Sequence, residues 1–220
     1  MELDRFFQLE LPQGRGALTW FNSYSGIALR TPKATLLFDP VKMGERKYIT
    51  ADAIIITHEH YDHFDPKSAL ELQRQTQAII LTTPFVARSL LSDRVKALKV
   101  GDSFTLKGVK LYAEHCEHPA NQPLSFVIEA EGITLYHPSD SDPFPGMIGL
   151  REKYKPELLL YWGTSMENGV EIAKLIKPEI ILSYDDSSGS PQRFREIANR
   201  EILGIRIETI KQSEIYQYPP

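Results

Sequence analysis

The chain has 220 residues, 42% of them hydrophobic and 25% charged, which suits one globular domain over residues 1–220 with a sizeable core. A formal net charge of -4 and a pI of about 5.9 give no basic excess, so composition argues against nucleic-acid and anionic-membrane partners. A single cysteine, an N-terminus without a signal-peptide pattern and no apolar run approaching roughly 18 residues predict a cytoplasmic protein.

The first half of the chain reads as short strands separated by proline and glycine turns. These strands are predicted at residues 16–22, 26–30, 34–39, 53–57 and 78–82. Helices are predicted at residues 66–75 and 84–91, the second with Pro84 in its first turn.

The second half predicts two hairpins and then an alternation of strands and helices. The hairpins turn at Lys107-Gly108 and Glu131-Gly132, and they join strands 103–106 with 109–115 and 124–130 with 133–137. Later strands are predicted at 158–162, 180–184 and 205–210, and helices at 169–177 and 191–200. Strands and helices in both halves indicate a mixed sheet system covered by helices, of the α/β or α+β class.

A histidine-rich run directly follows the apolar stretch 53–56. It contains His58, His60, Asp62 and His63 within six positions. Imidazole nitrogens and carboxylate oxygens are common ligands of divalent first-row metals. His58 and His60 point the same way in extended backbone, and one turn of loop brings Asp62 and His63 to face them. The spacing favours two adjacent metal positions, and the alternative is a polar surface loop.

Three later strands also end in candidate ligands. Strand 109–115 ends at His115 with His118 close behind, strand 133–137 is followed by Asp140, and strand 180–184 is followed by Asp185. Strand ends at one edge of a sheet can converge on a site that the scaffold holds in place. Asp140 could instead cap a helix or stabilise a turn, and Asp185 could be a solvated turn residue.

The motif H-x-H-x-D-H over residues 58–63 resembles the signature of the metallo-β-lactamase superfamily, and the order of the flanking motifs agrees over nearly the whole chain. More narrowly, the chain is similar to the small lactonase-like metal-dependent hydrolases of that superfamily. The resemblance implies an α+β fold, a four-layer αββα sandwich of two mixed β-sheets flanked by helices. It also implies a dinuclear metal site at one edge of the sandwich.

The resemblance also implies roles for the ligands. His58, His60 and His115 would hold one metal, Asp62 and His63 would begin the second site, and Asp140 would bridge the two. The implied metals are two divalent ions, with zinc first and manganese or iron as alternatives. Asp62 could alternatively orient or deprotonate the attacking water, as a catalytic residue, if the second metal is absent.

Two positions depart from the family pattern. Asp185 stands where a histidine usually closes the second metal site, which would favour harder metals if Asp185 is a ligand. Asn22-Ser23 stands where this branch often has Gly-His, which puts a substrate-contacting group in doubt.

Several other residues are candidates near the pocket. His118 is expected to be an entrance residue that contacts substrate, or a residue of the outer shell around the metal. Thr164 could bind an anionic substrate or belong to an ordinary turn. His137 could protonate a leaving group, although packing is the stronger reading. Asp39 is expected to hydrogen-bond a ligand histidine or the loop backbone.

The function that these features predict is metal-dependent hydrolysis of a small ester, lactone or phosphoester. A metal ion would acidify bound water and polarise the electrophile. The competing class is a binding or regulatory protein that kept the fold but has a weakened second site. The expected partner is a small-molecule substrate, and the sequence leaves a homo-oligomer open.

Overall fold

The structure is a computed structural model that describes residues 2–43, 48–161, 165–185 and 190–219. Its helices are α1 (Glu2–Gln8), α2 (Pro66–Thr76), α3 (Pro84–Ala87), α4 (Met147–Tyr154), α5 (Met166–Ile176) and α6 (Ser190–Glu201). Of these described helices, none combines the length and the apolar character that crossing a bilayer demands.

The first sheet combines an antiparallel half with a parallel half. Its strands are β1 (Gly16–Trp20), β2 (Ile27–Arg30), β3 (Thr35–Phe38), β4 (Ala53–Ile56), β5 (Ile79–Thr82), β6 (Val95–Ala97) and β14 (Tyr216–Tyr218). They lie in the order β14-β1-β2-β3-β4-β5-β6, antiparallel from β14 to β3 and parallel from β3 to β6. The carboxyl ends of β3, β4 and β5 therefore lie at one edge.

The second sheet has the same division. Its strands are β7 (Ser103–Leu106), β8 (Val109–His115), β9 (Leu124–Ala130), β10 (Ile133–His137), β11 (Leu158–Tyr161), β12 (Ile180–Asp185) and β13 (Arg206–Lys211). The order is β13-β12-β11-β10-β9-β8-β7, antiparallel from β7 to β10 and parallel from β10 to β13. The carboxyl ends of β10, β11 and β12 share an edge in turn.

The two sheets pack face to face, with helices on both outer faces. In β4 every residue is buried: Ala53 and Ile55 enter the cluster between the sheets, whereas Ile54 and Ile56 join the cluster under α1 and α2. This alternation explains the unbroken apolar run, because both faces of the strand are covered. A third cluster lies between the second sheet and α4 to α6. The predicted four-layer αββα sandwich is confirmed.

Most predicted elements are present, and the differences have local causes. Lys107, Gly108, Glu131 and Gly132 all have positive φ, as tight hairpin turns of the predicted kind require. The helix predicted at 84–91 ends at Ala87. Beyond that residue, Ser89 and Leu90 donate to carbonyls three residues back, so the segment continues as tighter turns. The sequence did not predict α1, α4, β6 or β14.

Candidate metal centre

The candidate ligands follow parallel strands at the same edge of the sandwich. Asp39 follows β3, the run 57–63 follows β4, and Asp140 follows β10. A tight turn folds the run back on itself, because the His63 and Phe64 amides both donate to the His60 carbonyl, at 2.9 and 2.8 Å. Asp65 then caps α2 by accepting from the Ser68 amide. The turn brings His63 beside the strand end that presents His58.

A first group of metal-capable atoms consists of His58, His60 and His118. One ring nitrogen from each lies within 4.8 Å of the others. Nε2 of His118 is 3.1 Å from Nδ1 of His60, and the ring centroids of His58 and His118 are 4.8 Å apart. Three imidazoles around one point match the ligand type and number of a zinc site.

The structure places His118, rather than the expected His115, in this group. The His115 ring is half-exposed, with Nε2 3.0 Å from Oε2 of Glu117, and it packs edge-on against Phe144. The strand ends at His115, and the next residues form a loop that carries His118 back over His58 and His60. In the structure His118 therefore lies in the first group, where the family resemblance implied His115, and His115 lies outside both groups.

A second group shares His58 with the first and adds His63 and Asp140. Nε2 of His63 lies 3.2 Å from Oδ2 of Asp140 and 3.8 Å from Oδ2 of Asp62. The same Asp140 oxygen is 4.0 Å from Nε2 of His118, so Asp140 lies between the two groups. Asp62 is the more accessible carboxylate, with 33% of its side chain exposed, against 13% for Asp140.

A buried hydrogen-bond network fixes the orientation of His63. Nδ1 of His63 is 2.8 Å from Oδ2 of Asp39, which is fully buried. The two Asp39 oxygens also accept from the amide and the hydroxyl of Thr57, each at 2.8 Å. Because the Asp39 carboxylate accepts hydrogen from Nδ1, Nε2 of His63 points its lone pair or proton towards Asp140. An aspartate behind a histidine is the usual outer partner of a metal ligand, and Asp39 makes the contacts predicted for it.

The charges around the metal centre favour the binding of a cation. Burial, together with the charge of His63, lowers the pKa of His58 to about 3. Burial opposes protonation of His63 too, but the carboxylates of Asp39 and Asp140 outweigh it and raise its pKa to about 10. Burial raises the pKa of Asp140, but the hydrogen bond and charge of His63 lower it below the usual value. The carboxylates of Asp39 and Asp140 thus stabilise positive charge at His63.

One buried atom shows that the residues fit a metal. Among the described residues, Nε2 of His58 has no hydrogen-bond partner although the residue is fully buried. A buried, unpaired ring nitrogen costs on the order of 1–3 kcal/mol, so such atoms are normally satisfied. His58 is also the residue common to both groups. A coordinated metal would satisfy the nitrogen.

The remaining predicted residues have different outcomes. His137 is buried, accepts from the Ser139 amide at Nδ1 and packs on Phe38, and its Nε2 has no partner among the described residues. Its role as a proton donor stays a prediction. Burial lowers its pKa to about 4. Thr164 and the side chain of Asp185 lie outside the described residues, so their roles stay predictions.

Sequence reasoning missed Ser25, whose hydroxyl lies 3.1 Å from Nε2 of His63. No motif marks an isolated serine in a loop before β2. Asn22, which replaces an expected glycine, has a structural role instead of a substrate contact. It is buried, and it accepts from the Tyr24 and Gly26 amides at 3.0 and 2.8 Å and donates to the Val41 carbonyl at 2.9 Å.

This sandwich, with two histidine-rich groups at the strand ends, defines a protein of the metallo-β-lactamase type. The family model described as the beta-lactamase superfamily domain matches residues 20–171. That range is more than half of the chain, and the chain therefore belongs to the beta-lactamase superfamily.

Curated relatives and solved structures agree with this family. A UPF0173 metal-dependent hydrolase of Thermofilum pendens is 22% identical over 194 residues, which cover 82% of this chain and 84% of that protein. A second one, of Korarchaeum cryptofilum, is 27% identical over 192 residues, with 81% and 85% coverage. Igni18, a metallo hydrolase of Ignicoccus hospitalis, has a TM-score of 0.76 at 20% identity, covering 94% of this chain and 99% of its own. YhfI of Bacillus subtilis, a metallo-beta-lactamase fold protein, has a TM-score of 0.71 at 16% identity, with 92% and 99% coverage.

Proposed function

We propose that this metal-dependent hydrolase uses metal-activated water on a small ester, lactone or phosphoester, with two divalent ions at the centre described above. Zinc is the first candidate metal, because imidazole predominates among the ligands, and manganese or iron is the alternative that carboxylate ligands would favour. The observation that carries the proposal is the pair of ligand groups joined at His58, whose buried Nε2 lacks a partner among the described residues.

The two groups share His58 and would correspond to two metal positions, with Asp62 added beside the second group. His58, His60 and His118 would hold the first ion, and His63 and Asp62 would hold the second. Asp140 would serve both, since one of its oxygens lies 3.2 Å from His63 and 4.0 Å from His118. Asp185 stays a candidate ligand, because its strand β12 ends at the same edge of the second sheet as β10.

When bound, such ions lower the pKa of a coordinated water to roughly 7 and polarise a carbonyl or phosphoryl oxygen. The chain contributes orientation and proton transfer. If the second position holds no ion, Asp62 is the carboxylate best placed to orient a water and accept its proton, because it lies beside His63 and remains accessible from solvent. Asp39 and Thr57 hold the His63 ring in place, so that the water meets a fixed set of donors and acceptors.

The experiment is a comparison of three bond classes on metal-loaded protein. We expect the wild type to hydrolyse at least one of 4-nitrophenyl acetate, dihydrocoumarin and bis-4-nitrophenyl phosphate, and His58→Ala to lose most of this activity. His115→Ala is the matched control, a half-exposed histidine outside the two groups, and it should retain wild-type turnover. Equal activity of His58→Ala and wild type, or no turnover of any of the three, would contradict the proposal.

A further inference from the structure

A cation and two aromatic rings stand together beside the metal centre. The ammonium of Lys42 lies 2.6 Å from the Tyr24 hydroxyl and 4.9 Å from the centroid of the Tyr24 ring. The Tyr24 ring packs edge-on against Tyr61, with centroids 6.4 Å apart. We call Tyr24, Lys42 and Tyr61 the Lys42 rim. Tyr61 is 78% exposed, so the rim faces solvent and contributes little to the core.

The rim adjoins the metal centre through two chain segments. Tyr61 lies in sequence between the candidate ligands His60 and Asp62. Tyr24 precedes Ser25, whose hydroxyl contacts Nε2 of His63. Both tyrosines of the rim are therefore next in sequence to residues that form or contact the centre.

The loop that carries Tyr24 is held in a fixed conformation. The Tyr24 amide donates to the side chain of Asn22, and the Tyr24 carbonyl accepts from the Trp20 indole at 2.6 Å. Asn22 also donates to the Val41 carbonyl, one residue before Lys42. Gly26 has to be glycine, because an added Cβ would lie 2.5 Å from Asn22. The backbone on both sides of the Lys42–Tyr24 contact is thus fixed before any ligand binds, which lowers the entropic cost of binding.

The charge of Lys42 is available to a ligand. Within the described part of the chain, no carboxylate lies within 4 Å of its ammonium, and its hydrogen-bond partner is the neutral Tyr24 hydroxyl. Asp65 is near enough for its charge to act on Lys42. Asp62 and Asp140 face Nε2 of His63, where bound cations would balance them, and Asp39 is paired with Nδ1 on the other side of the ring. A free, positioned ammonium beside a hydrolytic centre is suited to an anionic oxygen of the substrate.

We propose that the Lys42 rim binds an anionic group of the substrate, a carboxylate or phosphate on the part of the molecule away from the scissile bond. Lys42 supplies the charge, Tyr24 positions the ammonium, and Tyr61 covers the apolar body next to the charged group. This inference rests on the proposed function, and it narrows the substrate class to anionic esters, lactones or phosphoesters.

The test compares two esters that share a leaving group and differ in one carboxylate: 4-nitrophenyl pentanoate and mono-4-nitrophenyl glutarate. In Lys42→Met we expect the KM for the glutarate ester, relative to the pentanoate ester, to rise about threefold to tenfold, the size of a partly exposed charge contact. Lys42→Arg should restore most of the preference. The wild-type preference should weaken as ionic strength rises, because salt screens an exposed charge.

Lys110→Met is the matched control, because Lys110 also lies over a tyrosine, 4.6 Å from the Tyr112 ring, but near the start of β8. It should leave the ratio of the two KM values unchanged. An equal ratio in Lys42→Met and wild type would overturn the inference while leaving the hydrolase proposal intact. Failure of the wild type to hydrolyse either ester would count against the hydrolase proposal instead.

A binding measurement tests the role of Lys42 even if the wild type hydrolyses neither ester. Calorimetric titration of metal-loaded protein with phenylphosphonate should give a Kd about threefold to tenfold weaker in Lys42→Met than in wild type or Lys110→Met. The same Kd in all three proteins would overturn the role of Lys42.

Discussion

Replacement of Asp39 by asparagine tests how strongly the outer hydrogen-bond network controls the metal centre. Asp39 is fully buried, and its carboxylate accepts three hydrogen bonds, two from Thr57 and one from Nδ1 of His63. Asparagine has nearly the same shape and tolerates the positive φ of 46° at this position. The change therefore removes a charge and an acceptor and leaves the packing as it was.

The magnitude follows from those contacts. The asparagine oxygen can still accept from the Thr57 amide, but its NH₂ group then faces Thr57 Oγ1 and His63 Nδ1. An NH₂ group donates, so His63 would carry its proton on Nε2, the atom that faces Asp140. We expect metal affinity to fall about 10- to 100-fold, as for other outer-shell partners. We expect the free energy of unfolding of the metal-free protein to fall by about 1–3 kcal/mol, because a charge-assisted hydrogen bond is lost.

The assays are competition for zinc against a chromophoric chelator and urea unfolding of metal-free protein. Asp52→Asn is the matched control, because Asp52 also accepts from a backbone amide and from a cationic side chain, Thr35 and Lys107, at the opposite end of β4. It should leave metal affinity unchanged. The reasoning would be refuted if Asp39→Asn kept the zinc affinity of the wild type, or if Asp39→Asn and Asp52→Asn lost the same amount of zinc affinity.

Two further predictions concern the loop before β2 and the stabilising effect of the metal. In urea unfolding, Asn22→Ala should lower the free energy of unfolding by about 2 kcal/mol, because it leaves three backbone groups unpaired. Replacement of the exposed Ser23 by alanine should change that free energy by less than about 0.5 kcal/mol. Equal free energies of unfolding in the two variants would contradict this account. Chelation of the metal should lower the melting temperature: free metal at about 100 times Kd stabilises a fold by about 2.7 kcal/mol, or roughly 5–10 °C for a domain of this size. A melting temperature that does not respond to the chelator would mean that the folded chain holds no metal.

Most strands, helices and hairpin turns could be predicted because local patterns determine them, whereas the four-layer architecture was predicted from the family resemblance. The run 53–56 is apolar on both faces, and strand β4 is buried on both faces. The pairs Lys107-Gly108 and Glu131-Gly132 predict hairpin turns, and all four residues have the positive φ that such turns require. The elements that were missed carry weak signals: β6 and β14 have three residues each, and α4 contains Gly149 and begins without a side-chain cap.

The two groups contain His58 and Asp140, which follow strand ends closely, and His63, which belongs to the same short motif as His58. The choice between His115 and His118 could not be predicted, because strand periodicity ends at His115 and the path of the following loop depends on tertiary contacts. One such contact is the Asn121 amide donating to Glu59, 2.8 Å away, which ties that loop to the histidine run. The contact of Ser25 with His63 also joins segments far apart in sequence, and no local pattern reports it.

The most direct test of the metal centre is the metal content of protein purified without chelator, measured by elemental mass spectrometry on wild type, His118→Ala and His115→Ala. The geometry predicts close to two equivalents of metal in wild type and His115→Ala, and about one equivalent fewer in His118→Ala, which loses a ligand of the first group. Asp185→Ala, measured beside them, would lose about one equivalent if that carboxylate is a ligand. Loss of metal in His115→Ala with full content in His118→Ala would contradict the centre described here.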